Sequence, residues 1–155
     1  MIFLFIFTLL NEGDTLKKEI NLEDKDGKTF YITDSLTKYP FTLIIYSVYQ
    51  NAKLGKSIRL ELEKEERKDL KIFEVAKLDF IPNISFFKKA VRAQFKIVKR
   101  DVLLDYEGIL SKEIGFEEGK LCIFVFKNKK LKCKLFGNDK EILLFKVREC
   151  LNENR

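Results

Sequence analysis

The apolar positions of the chain fall into short blocks, and the blocks show two kinds of pattern. Residues 41–49, FTLIIYSVY, and residues 121–126, LCIFVF, are nearly continuous runs of β-branched and aromatic side chains. Runs without polar alternation are typical of strands that are covered on both faces, as at the centre of an α/β sheet. Residues 52–68 instead place Leu54, Ile58 and Leu62, with Glu65, on one stripe and charged side chains on the other face, which predicts an amphipathic helix.

The same reasoning predicts the elements on either side. Residues 18–23 and 28–33 flank the turn sequence Asp24-Lys25-Asp26-Gly27, which predicts an N-terminal β-hairpin. Ile81-Pro82-Asn83 opens a helix with Asn83 or Ser85 as its N-cap and an apolar stripe from Phe86 to Phe95. The other predictions are strands 70–80, 102–104 and 131–136 and helices 109–114 and 140–150, the last with Ile142, Leu143, Phe145, Val147 and Leu151 buried. The order β β β α β α β α β β α describes a mixed sheet between helical layers.

Composition agrees with a single folded domain over residues 1–155. The chain is 46% hydrophobic and 35% charged, with 7 Gly and 2 Pro. Its net charge of +6 could indicate an anionic partner, but the lysines are interleaved with acids, as in residues 61–68. Such interleaving is typical of a solvated surface, so a nucleic-acid partner is not expected.

The first ten residues, MIFLFIFTLL, form an apolar run with three alternative interpretations: a buried first strand, the remnant of a signal sequence, or an apolar docking segment. The run is shorter than the ~20 residues that cross a bilayer, so no membrane span is expected. It lacks a basic region before it and a small-residue cleavage site after it. The expected location is the cytoplasm or, if the true start lies upstream of Met1, the periplasm.

Several kinds of catalytic chemistry are excluded by composition. The sequence has no His, which removes Ser-His-Asp and Cys-His catalysis and the commonest zinc ligand. Its three cysteines, Cys122, Cys133 and Cys150, form no C-x-x-C pair, and no glycine-rich phosphate loop is present. We therefore expect neither a metal site nor a cofactor.

Three stretches resemble the thioredoxin-like superfamily and, within it, the peroxiredoxin-type branch of alkyl hydroperoxide reductases and thiol-specific antioxidants. They are residues 13–14 followed by 20–28, residues 41–46, and residues 103–108 together with 122–131. The stretch from Phe86-Phe87-Lys88-Lys89-Ala90 through residues 102–105 is similar to the bacterial YtfJ-type proteins, a thioredoxin-like family of unassigned activity. The resemblance implies a thioredoxin-like three-layer α/β/α sandwich with a mixed central sheet and an N-terminal β-hairpin.

The resemblance also locates a candidate site. Redox members of the superfamily have a cysteine in the first turn of the helix after the central strand, where the helix dipole lowers its pKa, and a cis-proline before the strand that here begins at Leu121. No cysteine occurs before residue 122, and Glu118-Gly119-Lys120 contains no proline. We therefore expect a degenerate, non-catalytic module that binds a protein or peptide or has a structural role. The candidate groove residues are Tyr46, Ser47, Tyr49, Gln50, Asn51 and Lys120.

The cysteines leave a second function open. Cys122 and Cys133 fall on strands that are predicted to pair, on one face and diagonally offset. They are either two buried thiols or the redox pair of an atypical thiol-redox protein. Cys150 is expected to be a free, partly buried thiol.

Overall fold

One mixed sheet organises the chain, and a computed structural model describes it over residues 9–82, 84–97 and 102–152. Its strands are β1 (Asn21–Glu23), β2 (Thr29–Tyr31), β3 (Phe41–Ser47), β4 (Leu70–Lys77), β5 (Val102–Asp105), β6 (Leu121–Lys127) and β7 (Lys130–Gly137). The helices are α1 (Ile32–Lys38), α2 (Ala52–Glu63), α3 (Ser85–Ile97), α4 (Ile109–Glu113) and α5 (Lys140–Asn152). Residues 1–8 and Asn83 lie outside the described residues, so the prediction of a first strand and that of an Asn83 cap stay predictions.

The strand order across the sheet is β2-β1-β5-β4-β3-β6-β7. The central strand β3 pairs in parallel with β4 and antiparallel with β6, and β4 pairs in parallel with β5. Residues 41–46 and 121–126 are buried throughout, as expected for strands that lie under helices on both faces. The predicted mixed sheet with an N-terminal hairpin is confirmed.

Helices cover both faces of the sheet. Successive side chains of β3 point to opposite faces, so each face presents apolar side chains that a helix can bury. Ile44 and Tyr46 pack with α1 and α4 in one apolar cluster. Leu43 and Ile45 pack with α2 and α5 in another, and α3 covers β5 on that same face. The chain is therefore a three-layer α/β/α sandwich. Among the described residues, no helix combines the length and the apolar character needed to cross a bilayer.

Helix α1 is the element that the sequence pattern missed. The predicted return strand 28–33 ends at Tyr31, and residues 32–38 form a helix instead. Its only fully buried apolar residues are Ile32 and Leu36, one helical turn apart. Two apolar positions in seven residues are too few to reveal a helical period, and packing against the sheet provides the stabilisation that this short helix lacks by itself.

The buried face of α5 also differs from the prediction. Leu143, Val147 and Leu151 are buried as expected, but Ile142 is 53% and Phe145 is 63% exposed. The other buried side chains of α5 are those of Leu144 and Cys150. The buried face therefore follows the positions i, i+1, i+4, i+7 and i+8, the spacing of one helix face that packs on a sheet.

A β-bulge in β7 decides which face of the sheet Cys133 occupies. Leu131 pairs with Phe126, but Cys133 pairs with Val125, so Lys132 is an extra residue in the strand. Without the bulge, Cys133 would lie opposite Phe124, on the face that holds Cys122. The bulge moves Cys133 to the other face, and the predicted strict alternation of residues 131–136 is broken there.

This geometry corrects the predicted cysteine pairing. Cys133 forms a disulfide with Cys150 that joins β7 to α5, with a Cα–Cα distance of 6.4 Å. Cys122 is a buried free thiol on the opposite face of the sheet, so it cannot pair with Cys133. The expectation that Cys150 is a free thiol was wrong for the same reason.

We expect the Cys133–Cys150 disulfide to stabilise the fold by limiting the freedom of the unfolded chain. Its sequence separation of 17 corresponds to about 3 kcal/mol in the chain-entropy treatment. Urea denaturation should show a loss of this order when a reductant is added. The double variant Cys133→Ala/Cys150→Ala should show no effect of the reductant. An unchanged wild-type midpoint under reduction would contradict the disulfide.

Candidate functional site

The candidate site lies at the carboxyl end of β3. The strand ends at Ser47, a 3₁₀ turn covers Tyr49–Asn51, and α2 begins at Ala52. Strand β6 begins at the same edge, because Tyr46 pairs with Cys122 in antiparallel register. The six candidate groove residues therefore belong to one end of the sheet, but their exposure differs widely.

Tyr46 belongs to the core rather than to a groove. Its side chain is fully buried, and its hydroxyl donates a 2.7 Å hydrogen bond to Oδ2 of Asp105, which is itself 1% exposed. The same carboxylate accepts backbone N–H bonds from Ile109 and Leu110 at 2.8 and 3.1 Å. Burial, and next the charge of Asp105, raise the pKa of Tyr46 above its usual range. The hydroxyl thus stays protonated and ties β3 to the first turn of α4.

Ser47 is half-buried against α2, where Gly55 allows a close approach. A Cβ atom at Gly55 would lie 3.0 Å from Cγ2 of Ile45, 3.4 Å from Cδ1 of Leu121 and 4.0 Å from Oγ of Ser47. A side chain at position 55 would therefore crowd the side chains of Ile45 and Leu121, which would have to shift by a few tenths of an ångström. Gly55 therefore allows α2 to lie close to β3 and β6 beside the candidate site.

The remaining candidates lie at the surface. Tyr49 is 90% exposed, and Gln50 beside it is exposed as well. Asn51 is half-buried, and its amide Nδ2 has no hydrogen-bond partner among the described residues. Lys120 is exposed and forms a 2.8 Å ion pair with Glu117.

An apolar groove that the sequence did not predict runs from the 3₁₀ turn to α3. We call it the α2–α3 groove, and its volume is about 550 Å³. Its walls are Tyr49 and Ala52 on one side and Val91 and Phe95 on the other. Ala76 lies in its floor. The sequence contained one signal for it, the apolar stripe of α3, but that stripe indicates only that α3 packs on something.

The free thiol of Cys122 lies under the candidate site and is poorly suited to nucleophilic chemistry. Burial raises its pKa to about 11. Its Sγ lies 3.7 Å from the backbone carbonyl of Lys120 and can donate a weak hydrogen bond to it. The thiol therefore stays protonated at neutral pH, whereas reactive cysteines have lowered pKa values.

Comparison with solved structures identifies the fold class. The exposed lipoprotein thioredoxin of Streptococcus pneumoniae matches with a TM-score of 0.62 and 19% identity over 85% of this chain and 99% of its own. The peroxidoxin BcpB of Mycobacterium tuberculosis matches with a TM-score of 0.62 and 15% identity over 94% and 99%. A peroxiredoxin-like protein of Aquifex aeolicus matches with a TM-score of 0.57 and 14% identity over 92% and 89%.

The chain therefore has a thioredoxin-like α/β fold, as its resemblance implied, and its structural neighbours include thioredoxin-like and peroxiredoxin-like proteins. At these identities the likeness shows the fold alone. No family model matches the sequence, and no curated protein matches it significantly.

The Tyr46–Asp105 hydrogen bond should contribute to stability in a pH-dependent way. Tyr46→Phe removes a donor from a buried carboxylate, which we expect to cost about 1.5–3 kcal/mol in urea denaturation at neutral pH. Because the pKa of Tyr46 is raised in the folded state, the unfolded chain releases this proton first. Wild-type stability should therefore fall as pH rises above about 10, and the Phe variant should lose less over that range.

Tyr31→Phe is the control for this prediction, because Tyr31 is 42% exposed on the edge strand β2. Its effect should stay within about 0.5 kcal/mol at neutral pH. An equal alkaline loss of stability in wild type and Tyr46→Phe would show that the Tyr46 hydroxyl ionises as easily in the folded protein as in the unfolded chain.

Proposed function

We propose that this chain is a non-catalytic thioredoxin-like module, related to the YtfJ-type proteins, that binds an apolar segment of a protein or peptide in the α2–α3 groove. The observation that carries the proposal is the position of the groove. It opens at Tyr49, in the turn between the central strand and its helix, where redox members of the superfamily carry the active-site cysteine.

The residues at that position support binding rather than thiol chemistry. The segment from Tyr46 to Gly55 contains no cysteine, and Lys120 stands where the family's cis-proline is expected. The nearest thiol, Cys122, is buried with its pKa raised to about 11. A nucleophile would need a lowered pKa and access to the groove, and Cys122 has neither.

The groove has properties of a recognition site. Its volume of about 550 Å³ falls within the 300–1,000 Å³ range typical of binding pockets, and its lining is mainly apolar. Tyr49 and Phe80, which are 90% and 64% exposed, stand at its edge. Exposed aromatic side chains beside an apolar groove are the usual anchors of protein interfaces, because a partner buries a large apolar area on them.

The disulfide suggests a second candidate function, that of an atypical thiol-redox protein. Such a protein would use Cys133 and Cys150 in place of the Cys122–Cys133 pair. A partner dithiol would transfer two electrons and two protons to the disulfide, so that the partner becomes oxidised while Cys133 and Cys150 become thiols. Cys133 is half-buried, but Cys150 is only 2% exposed, which leaves little room for an attacking thiolate. This geometry favours a structural role for the disulfide.

Selection of random peptides on the immobilised full chain, followed by fluorescence anisotropy of the selected peptides, tests the binding function. Tyr49→Ser should weaken binding roughly tenfold, because it removes an aromatic anchor worth about 1.4 kcal/mol or more. The matched control is Tyr31→Ser, at an exposed tyrosine on the edge strand away from the groove. The proposal fails if no peptide is selected, or if both variants bind the selected peptides as wild type does.

Thiol counting and turnover test the redox alternative. The unfolded, unreduced chain should contain one reactive thiol, and the reduced chain should contain three. Under the binding proposal, insulin reduction by dithiothreitol should proceed at the same rate with and without the protein. Acceleration by wild type that Cys133→Ala/Cys150→Ala abolishes would establish the redox function instead.

A further inference from the structure

The outward face of α3 carries an apolar stripe that nothing in the described chain covers. Phe86, Ala90, Ala93 and Ile97 follow the spacing i, i+4, i+7 and i+11, which places all four on one side of the helix. All four are exposed, Phe86 by 75% and Ile97 by 82%. The opposite side of the helix, with Val91 and Phe95, packs on the sheet. The stripe is therefore distinct from the groove and from the core.

Positive charge accompanies this stripe. α3 contains Lys88, Lys89, Arg92 and Lys96 and no acidic residue, and the sequence continues with Lys99-Arg100. Lys88 and Arg92 point back to Glu23, with N–O distances of 3.7 and 2.6 Å. Lys89 and Lys96 are exposed and lie directly beside the stripe on the helix surface. Neither forms an ion pair with another described residue. The stripe and these two lysines together make up the surface that we call the α3 face.

Charge and shape limit what can bind this face. A second copy of the chain would place the lysines of two α3 helices side by side, where like charges repel. A peptide would find no walls, because the stripe lies on the convex side of a single helix. An anionic bilayer fits both the charge and the shape of this face. Its apolar boundary accepts the convex stripe, and lysine side chains extend to the negatively charged lipid headgroups.

We propose that the α3 face binds the surface of an anionic lipid bilayer, with Phe86 and Ile97 inserted at the level of the headgroups and acyl chains and Lys89 and Lys96 at the lipid phosphates. Attachment of this kind lies in the plane of the interface and needs no spanning helix. It leaves the α2–α3 groove open, so membrane attachment and peptide binding are separate properties of the protein.

Co-sedimentation of the full chain with lipid vesicles tests the proposal. Binding should be strong to vesicles of equimolar phosphatidylcholine and phosphatidylglycerol, weak to phosphatidylcholine alone, and reduced by salt, which screens surface charge. Phe86→Ser/Ile97→Ser should weaken binding roughly tenfold or more, because it removes the inserted side chains. Lys89→Glu/Lys96→Glu should weaken it by about fivefold or more for each charge.

The controls alter the same kinds of side chain elsewhere. Leu9→Ser/Tyr31→Ser replaces two exposed apolar residues, 41% and 42% exposed, outside the α3 face. Lys112→Glu/Lys129→Glu makes the same change in net charge on α4 and in the β6–β7 turn. Both controls should bind anionic vesicles at least threefold more tightly than the corresponding α3 variants.

Three results would overturn the proposal. Vesicle binding that the α3 variants leave intact would assign it to another part of the chain, and the absence of vesicle binding would exclude it. A wild-type dimer in sedimentation equilibrium that Phe86→Ser/Ile97→Ser dissociates would show that a second copy covers the stripe. None of these results depends on peptide binding in the groove, which Tyr49→Ser reports separately.

Discussion

The burial of β3 on both faces is the constraint on which the rest of the structure depends. Its side chains from Phe41 to Tyr46 are covered by α1 and α4 on one side and by α2 and α5 on the other. A strand in this position must satisfy all its backbone groups within the sheet, which it does by pairing with β4 and β6. The end of this strand determines the positions of the turn at Tyr49 and of the start of β6, which together form the candidate site.

A group of hydrogen bonds around Tyr46 lies within that core. The Tyr46 hydroxyl, Asp105 and the first backbone N–H groups of α4 form a closed set of hydrogen bonds in which each buried polar group has a partner. A buried carboxylate is costly unless donors surround it, so this set is satisfied as a unit. It fixes the loop after β5 against the central strand, and it explains why a tyrosine near the carboxyl end of that strand does not line the groove.

The two surfaces with proposed functions lie on either side of α3. The side toward α2 forms one wall of the groove through Val91 and Phe95, and the outward side carries the exposed stripe from Phe86 to Ile97. No side chain of this helix is fully buried, which sets it apart from α2 and α5 on the same face of the sheet. A helix with so little burial leaves apolar side chains exposed to water. Binding to another surface would bury that apolar area.

The resemblance to the thioredoxin-like superfamily implied the fold class, and the strands and helices that have a clear period could be predicted from the pattern of apolar residues. The continuous apolar runs of β3 and β6 and the stripe of α2 carry that information locally. The sequence could not show α1, whose two buried residues have no visible period, nor the groove, whose lining comes from separate elements. It also could not show the cysteine pairing, because the single extra residue Lys132 moves Cys133 to the opposite face of the sheet. Side-chain direction in a strand has a period of two, so only the register of the folded hairpin brought Cys133 to Cys150 and left Cys122 alone.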